Sequence, residues 1–401
     1  INDFPCGSGK TTKMMQSLKQ RKLYLIVVNL KSEIKRVLEN TSHINLHEPT
    51  TSMTKFETKK EALLKLVSES KSIVTTHKLY NDISHLAALG LLQKYHVIID
   101  EVPEVITSII SLSKKSINEF YISKDYLKVS ENGLCSPTDK WEYSLDDVSD
   151  TLNPHIKHHA ESHNLYLSKQ GTFLKAVPKM LFYNCASMTV LTYKSEGSYF
   201  LKYLDKLSVA YNVNCDRNLE KEFKAKAKEL ITFGETEALK RINFTYSKQS
   251  KFGLCSKETK TVQSALKNCR SRFLKGVPLE NIMVTCAEIN WRNPKASKSN
   301  KLRLNGFSKG TGLGKVNWVA NQTRGTNQYS HCSHLFYLYD KYPMPPITQW
   351  LGSPTKEFSD AYALTELIQW IWRSRIRNEL PITLYIPSSR MKRLLLDWLK
   401  S

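Results

Sequence analysis

The stretch FPCGSGKTT, Phe4 to Thr12, decides how this chain is read. A phosphate-binding loop follows the pattern GxxxxGK and then Ser or Thr; Gly9-Lys10-Thr11 supplies its second half, while Phe4 stands where the first glycine belongs. Gly7 and Gly9 let backbone N–H groups around Ser8 wrap phosphate oxygens, Lys10 brings a point charge to the β and γ phosphates, and Thr11 offers a hydroxyl to magnesium. The segment TTKMMQSLKQ, opening at Thr11-Thr12, is predicted to be a helix whose N-terminal end adds positive potential. A glycine-rich turn that happens to end in lysine is the competing reading.

Downstream, apolar β-branched runs alternate with helical spacings. LYLIVVN (23–29) reads as a strand, KSEIKRVLEN as a helix, EALLKLVSES as a helix, KSIVTTH as a strand and DISHLAALGLLQKY as a helix. HVIID (96–100) then reads as a buried strand, and the strand rhythm is expected to resume at Met180–Tyr183. A second alternating block starts near Asp216 with KEFKAKAKELITF, followed by strand RINFTYS, helix KETKTVQSALKNCRSRFLKG, and strands NIMVTCAE, HLFYLY and ITLYIP, with the helix DAYALTELIQWIWRSRIR before the last. Strands separated by helices predict parallel sheets covered on both faces.

The expected organisation is a first α/β domain over 1–193, a linker over 194–215 and a second α/β domain over 216–401. The pattern loosens between Val105 and Pro178, which reads as an insertion into the first domain. HVIIDEVPEV ends a strand on two carboxylates: Asp100 in position to hold magnesium, Glu101 to polarise an attacking water.

Composition narrows the partners. The 401 residues carry 59 Lys and Arg against 37 Asp and Glu, a net charge of +22, which makes nucleic acid the first partner to consider. The eight cysteines form no CxxC pair, and reduced, intracellular thiols fit them best. Neither His331-Cys332-Ser333-His334 nor the histidine-rich NPHIKHHAESH is read as a metal site. No apolar run approaches the roughly 20 residues that cross a bilayer, so a cytoplasmic protein with no membrane partner is expected. The chain opens at Ile1 rather than methionine, so a segment is expected upstream.

The order GSGKTT, VVNLKSEI, VTTHKLY, DEVPE, CASMT, TRGTN and QWIWRSRIR resembles superfamily 2 helicases of the DEAD/DEAH type, in particular compact bacteriophage-encoded ones. The resemblance spans almost the whole chain and implies two tandem RecA-like domains with ATP and Mg²⁺ bound between them. It implies catalytic roles for Lys10, Asp100, Glu101, Arg373 and Arg377, the two arginines reaching across the cleft to the γ phosphate from one helical face. It implies nucleotide contacts from Gly7, Ser8, Gly9, Lys10, Thr11, Thr12, Gly325 and Gln369, with metal contacts from Thr11 and Asp100. Nucleic-acid contacts are implied at Asn29, Lys31, Thr75, Thr76, His77, Arg324 and Thr326, and Ala186-Ser187-Met188-Thr189 resembles the coupling motif SAT.

This sequence departs from the motifs at Phe4 and Cys6, at Met188, at Asn327 in place of an acid, and at Trp372 in place of glycine. The implied activity is ATP-driven movement along or unwinding of nucleic acid, single-stranded or forked DNA, in phage replication or recombination and alongside the proteins of those processes. Further contacts are expected from KEFKAKAK, PKASKSNKLR and SKGTGLGK, with Trp291 and Trp318 as stacking residues. Relatives with an iron–sulfur cluster also carry an insertion in the first domain, but Cys135 alone lies in this one, so a cluster-free element, a strand-separating wedge, is expected. Two other classes fit part of the pattern: a packaging-type motor, and a non-catalytic nucleic-acid-binding protein with a decayed ATPase fold.

Overall fold

The structure, a computed structural model, describes residues 1–51, 58–81, 83–108, 112–143, 154–292, 306–323 and 325–401. The chain runs β1 (Asn2–Asp3), α1 (Lys10–Ser17), β2 (Leu23–Val28), α2 (Lys31–Asn40), β3 (Leu46–His47), α3 (Lys59–Ser68), β4 (Ser72–Thr76), α4 (His77–Asn81) and, after one more short helix, β5 (Tyr95–Asp100). Five short strands follow, β6 (Ile106–Ser108), β7 (Leu127–Val129), β8 (Cys135–Pro137), β9 (Leu165–Leu167) and β10 (Phe173–Ala176), before β11 (Ser187–Thr192). The first sheet is parallel, in the order β1-β11-β5-β2-β4-β3.

Period-two alternation explains why this sheet is covered on both faces. Along β2, Tyr24, Ile26 and Val28 join Met14 and Met15 of α1 and Ile34 and Val37 of α2 in one core. Leu25 and Val27 turn the other way, into a larger core with Leu63 and Val67 of α3. A second parallel sheet holds β12 (Ile231–Phe233), β13 (Ile282–Thr285), β14 (Asn317–Trp318), β15 (His334–Tyr337) and β16 (Ile382–Tyr385), in the order β12-β16-β15-β13-β14. Leu335 and Tyr337 face the helices Lys356–Ile371 and Ser389–Lys400, while Phe336 faces the helix Lys257–Arg272.

The described residues between 106 and 176 build an antiparallel unit, β6-β10-β9 with the hairpin β7-β8, around Tyr121, Trp141, Ile156 and Phe173. Its Tyr166 ring packs edge-on against Trp350 of the second half at 4.9 Å, so the unit touches both halves.

Four local expectations are corrected. Met180–Tyr183 is a helical turn, and the next strand of the first sheet is β11. RINFTYS forms no strand, because the Asn243 side chain accepts the Thr245 N–H and turns the chain while Phe244 enters the core. The helix expected over 82–95 is short, ends at Ala88, and gives way at Gly90 (φ 73°) to turns that deliver Tyr95 to β5. The expected linker 194–215 contains the helix Tyr199–Lys206, whose Phe200, Leu201, Tyr203 and Leu204 enter the core of the first sheet. Apolar spacing alone does not separate a short buried strand from a short buried helix.

Candidate nucleotide site between the two sheets

Strand β1 ends in the loop that enters α1. Gly7 and Gly9 have φ of 80° and 74°, and an added Cβ at either would meet nothing, so the glycines are required by backbone conformation and not by space. Gly9 is also the N-cap of α1 and supplies no side-chain cap; together with the absence of acidic residues from the first turn, this leaves the helix's leading N–H groups and positive end open to an anion. Lys10 Nζ donates to the carbonyl oxygens of Phe4 and Pro5 at 2.7 and 3.0 Å, folding back over the loop. Burial pushes the thiol of the loop's Cys6 up to about 11.

The end of β5 lies across the same space. The Thr11 hydroxyl donates to Asp100 Oδ1 at 3.1 Å, placing together the two groups suited to a divalent cation. Burial, with Glu101 adding a like charge, raises the Asp100 carboxyl to about 6, against the counteracting Thr11 hydrogen bond. Glu101 sits at φ 69°, a left-handed conformation that is uncommon for this residue type; its N–H donates to the Leu191 carbonyl at 2.9 Å.

The second half closes the cleft. Gly325, Asn327, Gln369, Trp372, Arg373 and Arg377 line it opposite Gly7–Thr12, Asn29, Glu33, Arg36, Asp100 and Glu101. Arg373 approaches Glu101 at 3.9 Å. Arg377 hydrogen-bonds Asn327 through Nη1, and burial followed by repulsion from Arg373 lowers its proton affinity. The single helix expected to carry both arginines is not present: Lys356–Ile371 ends, Ser374 is extended, and a 3₁₀ turn follows over Arg375–Asn378. The Ser374 hydroxyl donates back to the Ile371 carbonyl, and the Arg375 N–H goes to Cys332, so local and tertiary hydrogen bonds replace the helical ladder. Arg375 turns away to the Pro381 carbonyl while Arg373 and Arg377 both reach the cleft.

Among the described residues, four buried polar atoms on this lining have no hydrogen-bond partner: Ser8 Oγ, Asn29 Nδ2, Gln369 Oε1 and Arg373 Nε. Buried polar groups are normally paired, and this mix of donors and acceptors around a glycine cradle, a Thr–Asp pair and four cations fits a polyphosphate nucleotide with a divalent cation. Arg36 and Glu33, ion-paired at 2.6 Å, are site residues that the sequence reading missed; only their place one and two turns into the helix after β2 could have pointed to them.

A neighbouring cleft is lined by Asn29, His77, Lys78, Lys175, Tyr199, Gln322 and Tyr362, among others, and joins the first through Asn29. His77 Nε2 lies 2.9 Å from the Asp100 carbonyl oxygen, linking the two spaces. The other expected nucleic-acid contacts do not gather there. Thr75 is buried within the first sheet, Thr76 accepts the Leu79 N–H at the start of α4, Lys31 is exposed on α2, and Thr326 accepts the Gln328 N–H. Arg324 and the segment PKASKSNKLR lie outside the described residues. Trp291 is core, and Trp318 is held by the Cys286 carbonyl and covered by the Arg292 guanidinium at 4.7 Å, so neither offers a free stacking face.

Among the described residues no helix is long and apolar enough to cross a membrane. Residues 225–399 match the family described as the YonV C-terminal Rossmann-like domain. The chain is 28% identical to the SPbeta prophage-derived uncharacterized protein YonV of Bacillus subtilis (strain 168), over 100% of this chain and 98% of that protein. It superposes on an apo XPD structure with a TM-score of 0.53 and 14% identity, covering 100% of this chain and 94% of the other. With S. tokodaii Xpd4 the TM-score is 0.50 at 13% identity, covering 99% and 93%. The chain therefore shares its fold with these structures: two parallel sheets flanked by helices, as tandem RecA-like domains.

Proposed function

We propose that this protein is an ATP-hydrolysing motor that moves along or unwinds nucleic acid, with DNA as its substrate. The observation that carries the reading is that Lys10, Thr11, Asp100 and Glu101 from one sheet and Arg373 and Arg377 from the other line one cleft. Thr11 and Asp100 would hold Mg²⁺, which supplies charge neutralisation at the phosphates when bound. Lys10 leaves the Phe4 and Pro5 carbonyls for the phosphate chain, and the α1 N–H groups orient it. Glu101, released from Arg373, takes the proton of a positioned water, while Arg373 and Arg377 stabilise charge that develops only as the phosphoryl group transfers.

Nucleic-acid binding is supported by charge distribution. Residues 216–401 carry 32 Lys and Arg against 15 Asp and Glu, whereas 105–178 carry 8 against 9. The inserted unit therefore acts on strands by steric separation rather than as an electrostatic clamp. The similarity to a prophage-derived protein supports a phage origin, and the process proposed for such a motor is phage replication or recombination in the host cytoplasm. ATP turnover measured without nucleic acid and with single-stranded DNA, forked DNA, duplex DNA and RNA tests the reading. Turnover stimulated most by single-stranded or forked DNA is expected, and its absence with every nucleic acid would reject the motor. Strand displacement on the fork then separates unwinding from translocation, and a variant lacking the inserted unit is expected to keep turnover and lose displacement.

A further inference from the structure

Arg373 acts only if the second half is held at the right distance from the phosphate loop, and the structure contains a polar tie between them. Asp3, the last residue of β1 and two positions before Pro5, accepts the Lys194 N–H at 2.7 Å through Oδ1. Its Oδ2 accepts the Ser195 N–H at 2.7 Å and the Ser195 hydroxyl at 2.6 Å. Lys194 is left-handed (φ 57°), a conformation that this two-pronged acceptor stabilises.

The turn continues into the second half. The Thr365 hydroxyl donates to the Lys194 carbonyl at 3.1 Å, and Gln369 Nε2 donates to the Tyr193 carbonyl at 3.3 Å. Tyr193 itself is buried in the core of the second half, with its hydroxyl on Glu220 at 2.9 Å. Gly197 lies so close to the helix Lys356–Ile371 that a Cβ there would collide with the Thr365 hydroxyl and the Ala361 carbonyl. Thr365 and Gln369 are one turn apart on that helix, and Arg373 lies two residues beyond its end at Ile371.

We propose that Asp3 is a positioning residue that fixes the Lys194–Ser195 turn as a strut between the phosphate loop and the arginine-bearing helix end. The proposal rests on the ATPase reading above, in which Arg373 must reach the cleft from the second half. Asp3 touches no reacting atom; it acts through Lys194, Thr365 and Gln369. A neutral amide at position 3 accepts through one oxygen only and turns its NH₂ toward the Ser195 N–H, so the strut loses its two-pronged support.

The test compares wild type with Asp3→Asn and with Thr365→Val, which cuts the strut at its other end while keeping side-chain shape. Expected for both is a kcat lower by roughly 10- to 100-fold, as for a small misplacement of a reacting group. KM for ATP should stay within about threefold, because the loop that binds the phosphates is intact. Asp3→Asn should add almost nothing to the loss in Arg373→Ala, since both remove the same contribution. Hydrogen exchange should quicken by about tenfold or more in peptides covering 193–199 and 356–371 while α1 and β5 keep their rates. An unchanged kcat, or a loss that adds in full to that of Arg373→Ala, would overturn the proposal, as would unchanged exchange in 356–371. If wild type itself does not hydrolyse ATP, the ATPase reading fails, and the exchange comparison alone decides whether the strut exists.

Discussion

The two walls of the cleft are built by different means. The wall from the first half is mainly backbone: two left-handed glycines, a helix N-terminus and a strand end fix its shape before any ligand arrives. The wall from the second half is side chain: Arg373 and Arg377 project from a turn and a 3₁₀ segment, the buried Arg373 lying 3.9 Å from Glu101 and Arg377 held by the neutral amide of Asn327. On the proposed ATPase reading, a backbone wall would bind in every state of the cycle, whereas a side-chain wall would contribute only while the halves stay in register. That reading assigns affinity to the first wall and turnover to the second.

The largest break in this comparison is chemical. Glu101→Gln keeps the size and the strained position of the side chain but removes the proton acceptor. Turnover in single-stranded DNA is expected to fall by at least about 10³-fold with nucleotide affinity retained, since a general base and the ordering of its water are both lost. A loss of binding instead would place Glu101 in the cradle.

Asp100 sharpens the comparison without catalysis. Its carboxyl is raised to about 6, so the folded protein holds this proton more tightly than the unfolded chain does. Stability contributed by that proton is therefore lost as pH rises from about 4 to about 6, by an amount on the order of 3 kcal/mol in metal-free protein. Denaturant melts of wild type and Asp100→Asn should converge near pH 4 and diverge above pH 6, with the variant the more stable. Mg²⁺ should close the gap above pH 6, because a cation beside the carboxylate favours its charged form.

The smallest effect is expected at Asn327. An acid there would pair with Arg377 and neutralise it, so Asn327→Asp should lower kcat by only about three- to tenfold while leaving ATP affinity unchanged, as steady-state kinetics would record. An increase in kcat would mean that Arg377 is held better by a charge than by an amide.

The two walls were also unequally legible in sequence. GSGKTT and the strand-ending Asp100-Glu101 can be read directly because glycine, lysine and carboxylate spacing within one loop or strand end encodes local geometry. The arginine wall was reached only through resemblance, and its expected continuous helix ends at Ile371; beyond it the Arg375 N–H bonds to the Cys332 carbonyl, over forty positions earlier. Arg36 and the Asp3 strut depend wholly on tertiary placement: a lone arginine in α2 and a lone aspartate before the loop have no local pattern to announce them. Thr75 illustrates the converse. It sits inside a recognisable motif, yet the pleat of β4 turns it into the core.

The most direct test of the split site is a paired measurement of nucleotide affinity and nucleic-acid-stimulated turnover in Lys10→Ala and Arg373→Ala. If the walls divide the work, Lys10→Ala loses affinity and turnover together, whereas Arg373→Ala binds ATP within about threefold of wild type and turns over roughly 10³-fold more slowly. Arg373→Ala with full turnover, or with affinity lost as in Lys10→Ala, would contradict a site completed by the second half.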